Sequence, residues 1–331
     1  MDMKIDFVVP WVDGSDPEWI KEYNKYSPIA KNSDTRSCNY RDFDLLRYWF
    51  RGVEKFAPWV NKVYFITNGQ KPEWLNLNCK KLIWIKHEDF IPKENLPLFN
   101  SRAIEIGINK IEDLSEYFVY FNDDFYLTDK ISQDFFFKNN KPRDMLVFTP
   151  LVGGLKSFIS YTQLTDCALL NECFNKRQFV RKNFRKVFNL RYGKENLRNM
   201  LMLPFPYVST FLNQHYAQPF LKSTLNKVWE NFPEKCETTQ ESKFREPTNI
   251  NQWLFRYWNL MEGNFVPTNL NKGRKYFTLG ENFNQMCSDI KNQKYKEVVI
   301  NDGGYDMSVE EEKKLLQSFN SILPEKSEFE I

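Results

Sequence analysis

The sequence predicts an α/β protein. A Rossmann-like, mainly parallel sheet with helices on both faces is expected to fill the first half, and a mainly helical part the second. Three observations predict it. Short apolar runs that end in polar or turn residues recur at residues 4–12, 62–67, 82–86 and 117–121, the pattern of strands buried on both faces. Stretches with helical periodicity separate them, as crossover connections between parallel strands require. After Gly153-Gly154 the texture changes to long helical patterns with few strands. The expected division is an α/β core at 1–150 and a mainly helical part at 151–331, whose last strand and helix (296–323) pack back on the core.

The first strand, Lys4 to Val12, contains Pro10, which places a strand end, an edge or a bulge there. Asp13-Gly14-Ser15-Asp16-Pro17 turns the chain, with Asp16 as N-cap and Pro17 as the first helical residue of a helix to Tyr26. Gly14 would let backbone approach a ligand, and the helix start offers N–H groups to an anion; an ordinary capped turn is the plainer alternative. Residues 27–40 are polar and loop-like. A helix from Asp42 to Phe56 carries Leu45, Leu46, Trp49, Phe50, Val53 and Phe56 on one stripe. Arg47 and Arg51 lie one turn apart on its other side, where they could fork onto a diphosphate or simply be solvated beside Asp44 and Glu54. Strands follow at Lys62–Thr67 and Leu82–Lys86, then a helix from Arg102 to about Leu114 capped by Asn100-Ser101.

Tyr117 to Leu127, YFVYFNDDFYL, runs five apolar or aromatic residues into Asn122-Asp123-Asp124. Open α/β sheets hold ligands just outside the carboxyl ends of their strands. Adjacent carboxylates there are costly to desolvate unless a positive group sits on them. A divalent cation carrying nucleotide phosphates meets that need; the alternative is a pair of loop carboxylates capping the next element. A further strand is expected at 145–149. Lys176 to Arg198 holds nine basic residues against Glu195 alone, with Phe179, Val180, Phe184, Val187 and Phe188 as an apolar stripe. Such a basic amphipathic helix suits an anionic membrane surface or a polyanionic acceptor, or else packs on the core with a solvated face. Helices are expected at 220–231, 249–261 and 308–323, and a strand at 298–302.

Composition excludes several classes. The 331 residues carry a net charge of only +3, so the molecule is not a nucleic-acid binder by charge. Six cysteines without a CxxC pair and two histidines leave no zinc cage. The first residues lack the basic start and apolar core of a signal peptide. No stretch approaches the roughly 18 apolar residues of a membrane span. The expectation is a cytoplasmic protein with reduced thiols, peripheral contact with the inner membrane surface remaining open. Thirty phenylalanines and nine tryptophans make an aromatic-rich core and could supply stacking surfaces for bases and sugars.

Several separated blocks together resemble the Stealth family. FVVPWVDGSDPEW (7–19) resembles its first conserved region. RDFDLLRYWFRGVEKFAPWVNKVYFITNGQKPEWL, HEDFIP, LPLFNSRAIE and LSEYFVYFNDDFYL resemble the second, HYAQPF with SKFR downstream the third, and VVINDGG with ILPEKSEFE the fourth. The family contains bacterial capsular polysaccharide phosphotransferases and the catalytic subunit of the animal N-acetylglucosamine-1-phosphotransferase. The resemblance implies a glycosyltransferase-A-like fold and transfer of a sugar-1-phosphate, such as N-acetylglucosamine-1-phosphate, from a UDP-sugar donor to a hydroxyl of a saccharide or polysaccharide acceptor, and leaves contact with capsule machinery open. It carries functional roles onto Asn122, Asp123, Asp124, His215 and Arg245. This chain departs from the family's usual pattern at Val9-Pro10 and at Arg102.

On that basis Asp123 and Asp124 are expected to hold Mg²⁺ or Mn²⁺, with one of them or His215 as general base and Arg245 neutralising the phosphate. Arg47 and Arg51 stand as further phosphate ligands. Asp13, Gly14 and Asp16, with Asn100, Ser101 and Asn122, make up the expected donor pocket. A metal-dependent glycosyltransferase and a non-catalytic sugar-nucleotide binder are the rival readings.

Overall fold

The computed structural model describes residues 3–27, 43–154 and 158–331. Strands β1 (Ile5–Pro10), β2 (Val63–Thr67), β3 (Leu82–Lys86) and β4 (Tyr117–Tyr120) are mutually parallel, in the order β4-β1-β2-β3. Their residues are buried on both faces almost throughout β1 and β2, which is why these runs are apolar without alternation. Pro10 is the last residue of β1, at a strand end as expected. A fifth strand, Gln218–Leu221, adds antiparallel to the free edge of β4. Its last two residues, Phe220 and Leu221, fall where a helix was expected to begin. The helix starts only at Lys222, and Pro219 sits in an edge strand, where its missing N–H costs no ladder bond.

Helix α1 (Pro17–Tyr26) starts on Asp16, whose side chain accepts from the Glu18 N–H. Helix α2 (Leu46–Phe56) buries Leu46, Trp49, Phe50, Val53 and Phe56, the predicted stripe; Asp42, the expected start, lies outside the described residues. Helix α3 (Ser101–Gly107) is shorter than predicted and passes into a 3₁₀ turn at Ile108–Lys110.

The chain leaves β4 through Asn122-Asp123-Asp124 and enters β5 (Phe125–Leu127), which belongs to a second sheet. There β5 runs antiparallel to Glu297–Asn301, itself parallel to Arg274–Thr278. The diaspartate loop therefore bridges two sheets. The Ile300 N–H donates to the Asp124 carbonyl at 3.0 Å, fixing the loop from the far side. Helix α2 lies directly on β5: a Cβ at Gly52 would come within 2.8 Å of the Leu127 carbonyl oxygen, so only glycine fits there. One hydrophobic core runs through residues of both halves, from Ile5 to Phe329.

The basic stretch 176–198 is not one helix. It forms Lys176–Lys182, Phe184–Val187 and a 3₁₀ segment Leu190–Glu195, followed by a helix Asn196–Met202. Asn183 ends the first piece, and Gly193 at φ 56 breaks the third. Of the strand expected at 145–149, only Phe148–Thr149 pairs.

Arg51 is the clearest departure from the sequence reading. Its Nε and Nη2 donate bidentately to the Glu330 carboxylate, both at 2.7 Å, and Nη1 donates to the Leu323 carbonyl at 3.1 Å. A guanidinium whose fork is filled by a buried carboxylate has no face left for a diphosphate. Arg51 ties the chain end to α2 instead.

Candidate active site

Three adjoining cavities meet around the diaspartate loop. The first is lined by Trp11, Trp19, His87, Phe99 and Tyr120, and reaches Asn100, Ser101, Asn122, Asp123 and Arg245. The central one holds Asp123, Asp124, His215, Arg245, Asn301 and Asp302. The third runs outward past Glu105, Gln163, Gln252, Trp253 and Tyr276, again with Asn122, His215 and Arg245 on its wall. Asn122 and Arg245 border all three. Residues separated by more than a hundred positions thus share one cleft at the carboxyl end of the parallel strands, where α/β sheets bind ligands.

Asp124 is fully enclosed at its Oδ1, which makes no hydrogen bond among the described residues. Burial, and then the neighbouring Asp123 charge, hold its carboxyl well above the usual carboxylate range. An orphaned buried carboxylate oxygen beside a second carboxylate is what a hard cation would satisfy. Among the described residues no group of three or more His, Cys, Asp or Glu side chains is placed to bind a metal. The aspartate pair alone would not complete such a site; phosphate oxygens and water would supply further ligands, the usual habit of Mg²⁺.

Arg245 lies in an irregular segment held from below by α3. Asn100 is buried and clamps that segment: its Nδ2 donates to the carbonyls of Ser242 (2.9 Å) and Phe244 (3.1 Å) and to Asn249 Oδ1 (3.0 Å), while its Oδ1 caps α3 at the Arg102 N–H. Ser101 Oγ accepts from Arg245 Nη2 at 3.0 Å, and Arg102 Nη1 donates to the Glu246 carbonyl at 2.9 Å. Arg102, one of the family departures, therefore takes a scaffolding part in this chain. Tyr120 and the buried Glu105 bond at 3.3 Å just behind.

His215 stands edge-on to Phe125, ring centres 4.8 Å apart, and 5.9 Å from Tyr276. Burial among these rings pushes its pKa down to about 4, so the imidazole is neutral near pH 7. Two residues on, the Ala217 N–H donates at 2.6 Å to Glu297, which is paired in turn with Arg274 at 2.6 Å. This buried ion pair fixes the backbone that carries the histidine.

The remaining expected donor residues divide. Asp13 and Arg47 line a neighbouring cavity that shares Trp11 with the first. Arg47 packs over Trp74, 5.4 Å from the ring centre, and lies 3.9 Å from Asp44. Asp13 Oδ1 accepts from the Ser15 N–H and hydroxyl. Asp16 departs from the expectation: one oxygen caps α1 and the other accepts from Gln70 Nε2 at 2.8 Å, which, with the cap, lowers its pKa. Asp16, Gly14 and Arg51 line none of these cavities.

Sequence reasoning assigned no site role to His87, Trp253, Tyr276, Asn301 or Asp302. Asn301-Asp302 carried a usable signal, since they end an apolar strand as Asn122-Asp123 do. His87 is buried, with its Nδ1 unbonded among the described residues and its pKa pushed down to about 4 by burial. It followed a strand but had no spacing to mark it. Trp253 and Tyr276 come from distant elements and left no pattern.

Comparison with known proteins gives three family matches: residues 3–30 to Stealth protein CR1, conserved region 1; 39–145 to Stealth protein CR2, conserved region 2; and 214–262 to Stealth protein CR3, conserved region 3. The capsular polysaccharide phosphotransferase WcwK of Streptococcus pneumoniae is 42% identical over 99% of this chain and 98% of its own. The receptor polysaccharide phosphotransferase WefC of Streptococcus oralis is 36% identical over 99% of both. Among solved structures, the galactosyltransferase LgtC in complex with donor and acceptor sugar analogues aligns over 96% of both chains at 8% identity, with a TM-score of 0.39.

Proposed function

The chain belongs to the Stealth family, and from that premise we propose that it moves a hexose-1-phosphate, such as N-acetylglucosamine-1-phosphate, from a UDP-sugar to a hydroxyl of an acceptor saccharide in the synthesis of a capsular or other cell-surface polysaccharide. The observation that carries this reading is the single cavity shared by Asp123, Asp124, His215 and Arg245. The relatives named above are phosphotransferases of polysaccharides, which supports the reaction class. In bacteria such as those that carry these relatives, UDP-sugars are made in the cytoplasm, and this reading places the chain there.

In this reading the α/β core holds the donor and the mainly helical part completes the site. The first cavity is the nucleoside slot: Trp11, Trp19 and Phe99 offer apolar faces, and His87 Nδ1 a polar atom for the base. Asn122, Asp123 and Arg245 stand at its inner end, where the pyrophosphate would lie. Mg²⁺ or Mn²⁺ held by Asp123 and Asp124 would supply charge neutralisation to the phosphate oxygens. Arg245, oriented by Ser101, neutralises the transferred phosphoryl group as a built-in arginine finger. The third cavity receives the acceptor, with Trp253 and Tyr276 as sugar-facing rings.

The acceptor oxygen attacks the β-phosphorus. The bond from that phosphorus to the bridging oxygen breaks, UMP leaves, and the acceptor proton passes to a base. His215 fits that role best, because Asp123 and Asp124 would hold the cation and the imidazole is already neutral. A diphosphate entering beside it raises its proton affinity at the moment it is needed. A base of this kind contributes about 10²–10⁴-fold.

The test is turnover of UDP-sugars with Mg²⁺ and a saccharide acceptor, read as nucleotide product by mass, for the parent chain and for His215→Ala and Arg245→Ala. UMP from the parent and at least about 10²-fold less from each variant is expected. UDP as the product, or variants that turn over like the parent, contradicts the reading.

A further inference from the structure

We propose that the segment from Leu190 to Tyr207 seats this protein on an anionic phospholipid surface, beside the mouth of the acceptor-side cavity. The helix Asn196–Met202 within it buries only Asn199 and Met202. Asn199 is fully buried, accepts from the Phe148 N–H at 2.7 Å, and donates to the carbonyls of Leu146 and Val187 at 3.0 and 2.7 Å. The outward face of the helix carries Leu197 and Leu201, one turn apart and 56% and 62% exposed. Leu190 is 96% exposed, Phe205 56% and Tyr207 67%. These side chains are not loose core. Lys176 is buried beneath the loop that follows, its ammonium donating to the carbonyls of Met202 and Phe205 at 2.6 and 3.0 Å, so the outward apolar surface rests on a fixed support.

Leu197, Leu201 and Phe205 line one groove, and large apolar side chains exposed together mark an interaction site. The charges around it say with what. Arg191, Lys194 and Arg198 are exposed among the leucines, and Arg181, Lys182 and Arg185 are exposed on the preceding helices. Between residues 174 and 229 the sole acidic residue is Glu195, and it is already paired with Arg198 at 2.8 Å. Apolar side chains set among cations match the interface of a bilayer with negative headgroups. A second copy would bring the same cations face to face, so self-association through this patch is opposed by charge.

The position has a use. A groove lined by Leu197, Leu201, Phe205 and Ser209 shares Pro150 with the acceptor-side cavity. Arg198 Nη1 also donates to Thr149 Oγ1, on the wall of that cavity, at 3.2 Å. Docking here would turn the cavity toward saccharides carried at the membrane surface. The docking itself does not depend on the proposed reaction; this consequence does.

The experiment is co-sedimentation of the whole chain with phosphatidylcholine vesicles, with and without phosphatidylglycerol, at low and high salt. Binding should be on the order of tenfold or more tighter with phosphatidylglycerol and should weaken with salt. Leu190→Ser/Leu201→Ser and, separately, Tyr207→Ser with Lys194→Glu should each lose on the order of tenfold. Both pairs of positions are exposed, so melting temperature and transfer to a soluble saccharide should stay as in the parent. Failure of the parent to bind phosphatidylglycerol vesicles, or both variants binding like it, overturns the proposal. So does a concentration-dependent dimer in sedimentation velocity that the variants abolish, which would make a second copy the occupant.

Discussion

Replacing Arg51 by methionine separates its two conceivable roles, diphosphate ligand and structural clamp. The guanidinium is nearly buried and donates twice to Glu330, whose side chain is 1% exposed. Removing one partner of such a pair strands the other charge and costs about 3–5 kcal/mol. The low end applies, because Glu330 keeps the Ser327 N–H and hydroxyl as donors. Unfolding entropy of about 2.1 cal/mol/K per residue gives roughly 0.7 kcal/mol/K for a chain of 331 residues, so about 3 kcal/mol lowers Tm by about 4 °C. Burial raises the Glu330 pKa, but Arg51 and the Ser327 N–H more than offset it, leaving it below the usual range. Stability from this pair is therefore present above the unfolded carboxylate pKa, about 4.3, and is lost as pH falls through the folded value. The variant should show less of that acid-side loss. The assay is a thermal melt across pH, alongside steady-state kinetics at a temperature where both proteins are folded. An unchanged Tm with a donor KM raised tenfold or more would refute the clamp and restore Arg51 to the phosphates.

Three further outcomes follow from the same geometry. Asp124→Asn should lose at least about 10²-fold in turnover while its metal-free Tm holds or rises, because a buried like-charge contact is gone; Mg²⁺ should raise the parent's Tm and leave the variant's unmoved. Both histidines, His87 and His215, are pushed down to about 4 by burial, so the unfolded chain binds their protons first. Tm should fall as pH drops from about 6.5 toward 4, and His87→Gln should flatten that slope in a pH series of melts. Asn100→Ala leaves the buried Ser242 and Phe244 carbonyls without their donor, at about 1–3 kcal/mol each, and frees the Arg245 segment. It should lower Tm and reduce kcat by about 10–100-fold, whereas a purely structural asparagine would lower Tm alone.

The parallel sheet was legible because its strands are buried on both faces and end on polar residues, as Phe118 to Asp124 do. The cap at Asp16 and the stripe on α2 were legible for equally local reasons. What local pattern could not show is pairing at a distance. Arg51 reads as a solvated or ligand-binding residue until Glu330 arrives from the other end of the chain. Gln218–Leu221 carries no alternation, being an edge strand of four residues all buried, so its antiparallel place beside β4 was invisible. In 176–198 the composition was informative and the periodicity misleading: the asparagine and glycine breaks outweighed the apolar spacing. Asp123 and Asp124 announced themselves, but their company of Asn301, Asp302, His215 and Tyr276 exists only once two sheets meet.

In the proposed reaction the cleft transfers phosphorus together with the sugar, not the sugar alone. Following UDP-N-acetylglucosamine labelled at the β-phosphorus is the most direct measurement. The label is expected in the acceptor as a phosphodiester resistant to phosphomonoesterase, with unlabelled UMP released. Label remaining in the nucleotide product, with an unlabelled glycoside formed, would contradict it.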